Sequence, residues 1–173
     1  MHLLHLLRHA KSSWKDDVED RERPLNRRGR EAARLVGQHL PATAGAIDLV
    51  LCSSAARSRE TLDLVLAGFA PRPRCVIEDR LYLADRDELI ERLQQLAESQ
   101  VNVLVIGHNP GLHELAVALA ESDSPRARAL TSGKFPTAAR VSLCVATRWA
   151  ALGGARHRLV DYVTAASLPG GKG

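Results

Sequence analysis

Short apolar runs recur along this chain, and each is cut off by charged or small polar residues. The clearest is Val101-Asn102-Val103-Leu104-Val105-Ile106, which empties into Gly107-His108-Asn109-Pro110-Gly111. Leu3, Leu4, Leu6 and Leu7 stop at Arg8-His9, and Ile47 to Cys52 stops at Ser53-Ser54. Cys75-Val76-Ile77 is a shorter run of the same kind. Runs of this length read as buried strands. Between them lie segments with helical spacing: Ala32, Ala33, Leu35, Val36 and Leu40; Leu62, Val65 and Leu66; Leu89, Ile90, Leu93 and Leu96; Leu112, Leu115, Ala116 and Leu119. Buried strands alternating with amphipathic helices predict an α/β fold, a three-layer α/β/α sandwich with a mostly parallel sheet.

The punctuation gives the boundaries. A first helix is expected to start near Asn26 or Arg27 and to end before Pro41. A second runs from Ala55 to Ala67, with Ser53-Ser54 placed to cap it and Gly68 to close it. A third covers Asp85 to Ala97. Ala139 to Thr147 and Arg156 to Val163 read as two strands of an edge hairpin, turned at Gly153-Gly154. Lys15 to Arg28 shows neither period. With no repeat or linker, residues 1–166 form one expected domain and 167–173 a flexible tail.

Aromatic residues make up 3% of the chain, so Leu, Val, Ile and Ala must fill the core and little remains for stacking bases. The formal net charge of +4 is a mild bias towards anionic ligands and too weak for nucleic-acid binding. Cys52, Cys75 and Cys144 fall one each in three strand-like runs, which predicts free thiols in a reducing compartment such as the cytoplasm. The opening residues lack the pattern of a secretion leader, and no run reaches membrane-spanning length, so no membrane partner is expected.

Three strand ends share a chemical character. The first ends in Arg8-His9, the second in Ser53-Ser54 with Arg57 a turn later, and the strong one in Gly107-His108 at a helix start. In a parallel sheet these ends line one crevice, where ligands bind. Helix starts there add free N–H groups and a positive dipole end. Taken singly, Arg8 reads as a surface charge at a strand end and His108 as a helix-capping or core residue. Two arginines and two histidines on one edge describe instead a phosphate site with a nucleophile.

The blocks Leu7-Arg8-His9-Ala10-Lys11-Ser12-Ser13-Trp14, Arg23-Pro24-Leu25-Asn26-Arg27-Arg28-Gly29, Cys52-Ser53-Ser54-Ala55-Ala56-Arg57-Ser58-Arg59-Glu60-Thr61 and Gly107-His108-Asn109-Pro110-Gly111 resemble, in order, the signature blocks of the histidine phosphatase (phosphoglycerate mutase-like) superfamily. More narrowly they resemble its small SixA-type phosphohistidine phosphatases. The resemblance implies that His9 is the nucleophile, that Arg8, Arg57 and His108 complete the phosphoryl pocket, and that Ser12 and Arg23 stand at weaker phosphate-binding positions. It implies a metal-independent phosphatase with no cofactor, acting in signal transduction. Its partner is then a phosphorylated protein such as a histidine-phosphotransfer domain, or else a small phosphorylated metabolite such as a sugar phosphate. Ala10 stands where most members have Gly and marks a subgroup.

Such chemistry needs a neutral His9 whose second nitrogen is held by a backbone acceptor, with positive charge around the transferred oxygens. Larger relatives place a proton-donating carboxylate between the second and fourth blocks. Here that stretch is short, and Glu78, Asp79, Asp85 and Asp87 are the carboxylates positioned for the task, though each also reads as a surface charge. An imidazole leaving group needs less help from an acid than an alkoxide does.

Other motifs fail on spacing. Neither Arg57 nor Arg59 lies six residues after Cys52, as a cysteine phosphatase loop requires, and Val117 stands where His113-Glu114 would need a second zinc histidine. His2, His5 and His9 have no carboxylate cluster to complete a metal site, and Gly107 to Gly111 lacks the third glycine of a dinucleotide fingerprint. A module that binds a phosphorylated partner without turning it over is the alternative of a different class. It needs the arginines but has no use for His9.

Overall fold

The apolar runs lie side by side. In the computed structural model, which describes residues 1–171, β1 (His2–Arg8), β2 (Leu49–Ser53), β3 (Arg74–Glu78), β4 (Asn102–Gly107), β5 (Arg140–Val145) and β6 (Arg158–Val163) form one sheet ordered β3-β2-β4-β1-β5-β6. The first four strands in that order are mutually parallel, whereas β5 runs antiparallel to both β1 and β6. The chain is thus an α/β domain with a mostly parallel sheet, as its pattern predicts.

Side chains alternate across each strand, so every run feeds two cores. On one face Leu4, Leu6, Leu49, Leu51, Val103 and Val105 pack against α3 (Arg86–Gln94), α4 (Gly111–Leu119) and α5 (Pro125–Ser132). On the other, Leu7, Val50, Cys52, Leu104 and Ile106 pack against α1 (Arg27–Ala44) and α2 (Ala56–Leu66). Helices on both faces explain why these strands are apolar throughout rather than alternating. Among the described residues no helix is long and apolar enough to cross a membrane.

The structure corrects several boundaries. α1 runs through Pro41 to Ala44, because a proline forfeits one helical bond without ending a helix whose Leu40 and Ala44 on either side are buried by packing. Its stop is Gly45, at φ +67°, whose N–H bonds the Pro41 carbonyl (3.2 Å). Asn26 caps its start, accepting from the Gly29 N–H at 2.8 Å. Ser53 and Ser54 do not cap α2, whose N-cap is Ala55; Ser53 Oγ accepts from the Ala55 N–H (3.3 Å) just ahead of the helix, and both serines also bond the side chains described below. The Gly153-Gly154 pair is only part of the β5–β6 connection, which also holds a short 3₁₀ turn with the buried Trp149. Helix α5 has no counterpart in the periodicity reading. Its sequence signal is Ser124-Pro125: Ser124 Oγ accepts from the Ala127 N–H (3.0 Å) and Pro125 opens the helix. Cys52 and Cys144 are buried and Cys75 half-buried, and all three are free.

At the C-terminus, Thr164 and Ser167 cap one another around a 3₁₀ turn, and Ala165 and Leu168 pack against the α1 side of the core. Of the expected tail 167–173, Lys172 and Gly173 lie outside the described residues.

Candidate active site

Register brings the polar strand ends together. Arg8 pairs with Gly107 across β1 and β4, and Cys52 with Ile106 across β2 and β4, so Arg8-His9, Ser53 and His108 leave the sheet along one edge. Two glycines let loops close on that edge. A Cβ on Gly29 would lie 2.0 Å from the Lys11 carbonyl oxygen, and one on Gly111 would lie 2.1 Å from that of Ala84.

His9 is buried and held by main chain on both sides: its N–H bonds Gly107 O (3.1 Å), and its carbonyl accepts from Ala138 N–H (3.2 Å). Its Nδ1 donates to Ala10 O at 2.7 Å, while Nε2 accepts from Arg57 Nε at 3.3 Å. This fixes one neutral tautomer, with the lone pair on Nε2 turned into the site. Burial, reinforced by His108, Arg57 and Arg8, lowers the His9 pKa to about 3. Ala10 is itself fully buried, and its N–H bonds Thr61 Oγ1 (3.0 Å), tying the loop to α2.

Arg57, in the first turn of α2, is buried at the hub. Beyond His9, its Nη2 reaches His108 Nδ1 (3.4 Å) and Asp20 Oδ2 (3.1 Å), and its Nη1 donates to Asp20 O (2.7 Å). His108 Nε2 donates to Ser53 Oγ at 2.7 Å, and its ring lies 5.1 Å from that of His9. Burial and then Arg57 lower the His108 pKa to about 4. Arg8 donates through Nη1 to Phe135 O (3.0 Å), and its Nε is buried with no protein partner. Arg23 donates to Ser12 Oγ (2.7 Å) and stacks under Trp14, its guanidinium carbon 3.3 Å from the ring centroid. Arg23 Nη1 is also buried and unpartnered. Buried donors without acceptors are costly unless something else supplies the acceptor. A phosphoryl group brings several.

All six residues singled out by sequence therefore lie at this edge: Arg8, His9, Arg57 and His108 around one space, and Ser12 with Arg23 beside it. The four acidic residues do not join them. Glu78 pairs with Arg92 (2.6 Å), Asp79 with Arg21 (2.7 Å) and Asp87 with Arg86 (2.8 Å), while Asp85 caps α3 in a reciprocal box with Glu88. The carboxylate that does reach the site is Asp20. Its Oδ2 accepts from Tyr82 Oη at 2.5 Å as well as from Arg57, and its Oδ1 lies 3.2 Å from Arg23 Nε. The Tyr82 hydroxyl, then Arg57 and Arg23, hold its carboxyl below the usual range despite some opposing desolvation. Ser54 Oγ accepts from Arg21 (2.7 Å), whose guanidinium lies over the Tyr82 ring.

A third buried histidine, His5, bonds Ser142 Oγ (2.7 Å) and Asn102 Oδ1 (3.0 Å) within the sheet, and burial lowers its pKa to about 4. All three folded values lie below the ordinary 6.5, so the unfolded chain takes up more protons as pH falls below that value. The stabilisation they share is full above 6.5 and is lost as pH falls towards about 4 and then 3. The urea midpoint is expected to drop between about pH 7 and about pH 5, before most carboxylates titrate. An unchanged midpoint across that interval contradicts buried neutral histidines.

The model of the histidine phosphatase superfamily (branch 1) matches residues 4–82. An uncharacterised protein of Mycobacterium tuberculosis is 39% identical over 147 residues, spanning 83% of this chain and 90% of its own length. The structure of a candidate phosphohistidine phosphatase SixA from Nakamurella multipartitia superposes with a TM-score of 0.81 at 29% identity, over 94% of this chain and 95% of that one. A second candidate SixA, from Agrobacterium tumefaciens, gives 0.78 at 27% identity, over 94% and 97%.

Proposed function

This chain belongs to the histidine phosphatase superfamily, and from that premise we propose that it is a metal-independent phosphatase that works through a phosphorylated His9 and takes a protein phosphohistidine as substrate. The observation that carries the reading is the state of His9. It is neutral, locked in one tautomer by Ala10 O, and its free lone pair is met by the Arg57 guanidinium. A module that only binds phosphate has no use for a nucleophile so prepared.

In the proposed reaction the Nε2 lone pair attacks phosphorus as the bond to the leaving group breaks. Arg57 and the unpartnered Arg8 Nε take up charge spreading over the equatorial oxygens, with Arg23 beside them, while His108 holds Arg57 through its Nδ1. Electrostatic positioning of this kind is most of what a protein supplies to phosphoryl transfer. Water then releases phosphate from His9.

The protonation states favour a P–N bond. The carboxylate at the site, Asp20, is held in its ionised form and has no proton to lend an alkoxide. A phosphohistidine can arrive protonated on its far ring nitrogen and leave as neutral imidazole. The test compares kcat/KM for a phosphorylated histidine-phosphotransfer domain with that for a panel of sugar phosphates. The phosphoprotein is expected to lead by about 10² or more, the scale of a missing general acid. A sugar phosphate in the lead overturns the P–N reading and makes this a phosphatase of small phosphomonoesters.

A further inference from the structure

We propose that Asp20 is the base that activates water for discharge of phosphorylated His9, with Tyr82 as the residue that positions its carboxylate. The inference rests on His9 as nucleophile and assigns the second half of that reaction.

Asp20 opens a 3₁₀ turn in the segment that has no periodicity, yet it is bound on every side. Oδ2 accepts from Tyr82 Oη and Arg57 Nη2, Oδ1 lies against Arg23 Nε, and its main-chain oxygen accepts from Arg57 Nη1. Arg57 in turn contacts His9 Nε2, the atom that would carry the phosphoryl group. The carboxylate therefore stands one guanidinium away from the reacting atom. Its side chain is 45% exposed, whereas that of Arg57 is 3% exposed, so water has direct access to the carboxylate while the guanidinium it pairs with is buried. The Tyr82 hydroxyl commits its only proton to Oδ2 and so fixes the orientation of the carboxylate. Tyr82 is itself fixed edge-on against the His108 ring, 5.5 Å between centroids, and is thereby tied to the pocket.

In the step assigned to Asp20, its carboxylate takes a proton from water as the water oxygen bonds to phosphorus. The P–Nε2 bond breaks and its electron pair returns to His9; the proton passes from Asp20 to solvent or to the released phosphate. A weak base suffices, because in a loose transition state the water proton becomes acidic late. The phosphoryl oxygens also engage Arg57 and Arg23, which relieves part of what, after the Tyr82 hydroxyl, holds Asp20 at low basicity. The first half-reaction makes no demand on Asp20 when the leaving group brings its own proton.

The experiment is a single-turnover quench with labelled phosphoramidate, using the full chain as wild type, Asp20→Asn, Asp20→Ala and Tyr82→Phe. Phosphoenzyme is expected to form in Asp20→Asn within about tenfold of the wild-type rate and to discharge about 10²-fold more slowly, so that it accumulates. Tyr82→Phe slows discharge by a smaller factor, and added formate speeds it in Asp20→Ala. Discharge of Asp20→Asn at the wild-type rate overturns the proposal. So does equal slowing of both steps, which leaves Asp20 only a counter-ion for Arg57. Turnover without acid-labile phosphoenzyme in either wild type or Asp20→Asn overturns the His9 reading, and this inference with it.

Discussion

Replacing His9 with alanine is expected to remove both turnover and the covalent intermediate while leaving the fold in place. Deleting a covalent nucleophile costs on the order of 10⁴-fold or more. The other groups can still bind the phosphoryl oxygens, but nothing remains to attack phosphorus, since the neighbouring His108 has its Nε2 committed to Ser53 and its Nδ1 facing Arg57. The backbone of residue 9 keeps both its bonds, to Gly107 O and from Ala138 N–H, because neither involves the imidazole. The check is kcat/KM beside a trap for an alkali-stable, acid-labile phosphoenzyme, with circular dichroism for the fold. A His9→Ala protein that keeps most of its activity removes His9 from the mechanism.

The next largest effect is expected at Arg57. Arg57→Ala should lower kcat by about 10³-fold, the lower end of what a transition-state arginine contributes in phosphoryl transfer. Its guanidinium meets His9, His108 and Asp20 at once through Nε, Nη1 and Nη2. A lysine cannot reproduce that: its ammonium is a single point charge without the planar fork, so Arg57→Lys should recover only a small part. The loss should also be flat across about pH 6–8. Burial is a larger cause of the low His9 pKa than Arg57, so His9 stays neutral without it. A defect that disappears as pH rises would instead mean that Arg57 works by keeping His9 unprotonated.

Much of this site is readable before any coordinates. Arg8, His9, Ser53 and His108 each follow an apolar run, and parallel strands deliver their carboxyl ends to one edge whatever the details of packing. Arg57 comes with them because it opens the helix that leaves β2. Asp20 and Tyr82 are not readable in that way. They lie 62 positions apart, one in a segment with no period and the other in the short turn after β3, and only folding the sheet brings them within 2.5 Å. The four acids proposed by position fail for a related reason. Glu78, Asp79 and Asp87 each have an arginine close enough to pair, and Asp85 has a helix to cap.

What this sequence determined by itself is periodic or punctuated. Wholly apolar strands alternating with one-sided helices require a sheet covered on both faces, because only there are both sides of each strand buried. Residues cut off at the ends of such strands must then share an edge. What tertiary structure alone decided is where local preference is outvoted or where partners are remote. α1 continues past Pro41 because Leu40 and Ala44 are buried against the sheet and α2, and one missing N–H costs less than exposing them. The choice of Asp20 over Glu78, Asp79, Asp85 and Asp87 was likewise settled by which carboxylate meets Arg57 in space. Pairing between charges so far apart in the chain is known only once the chain has closed.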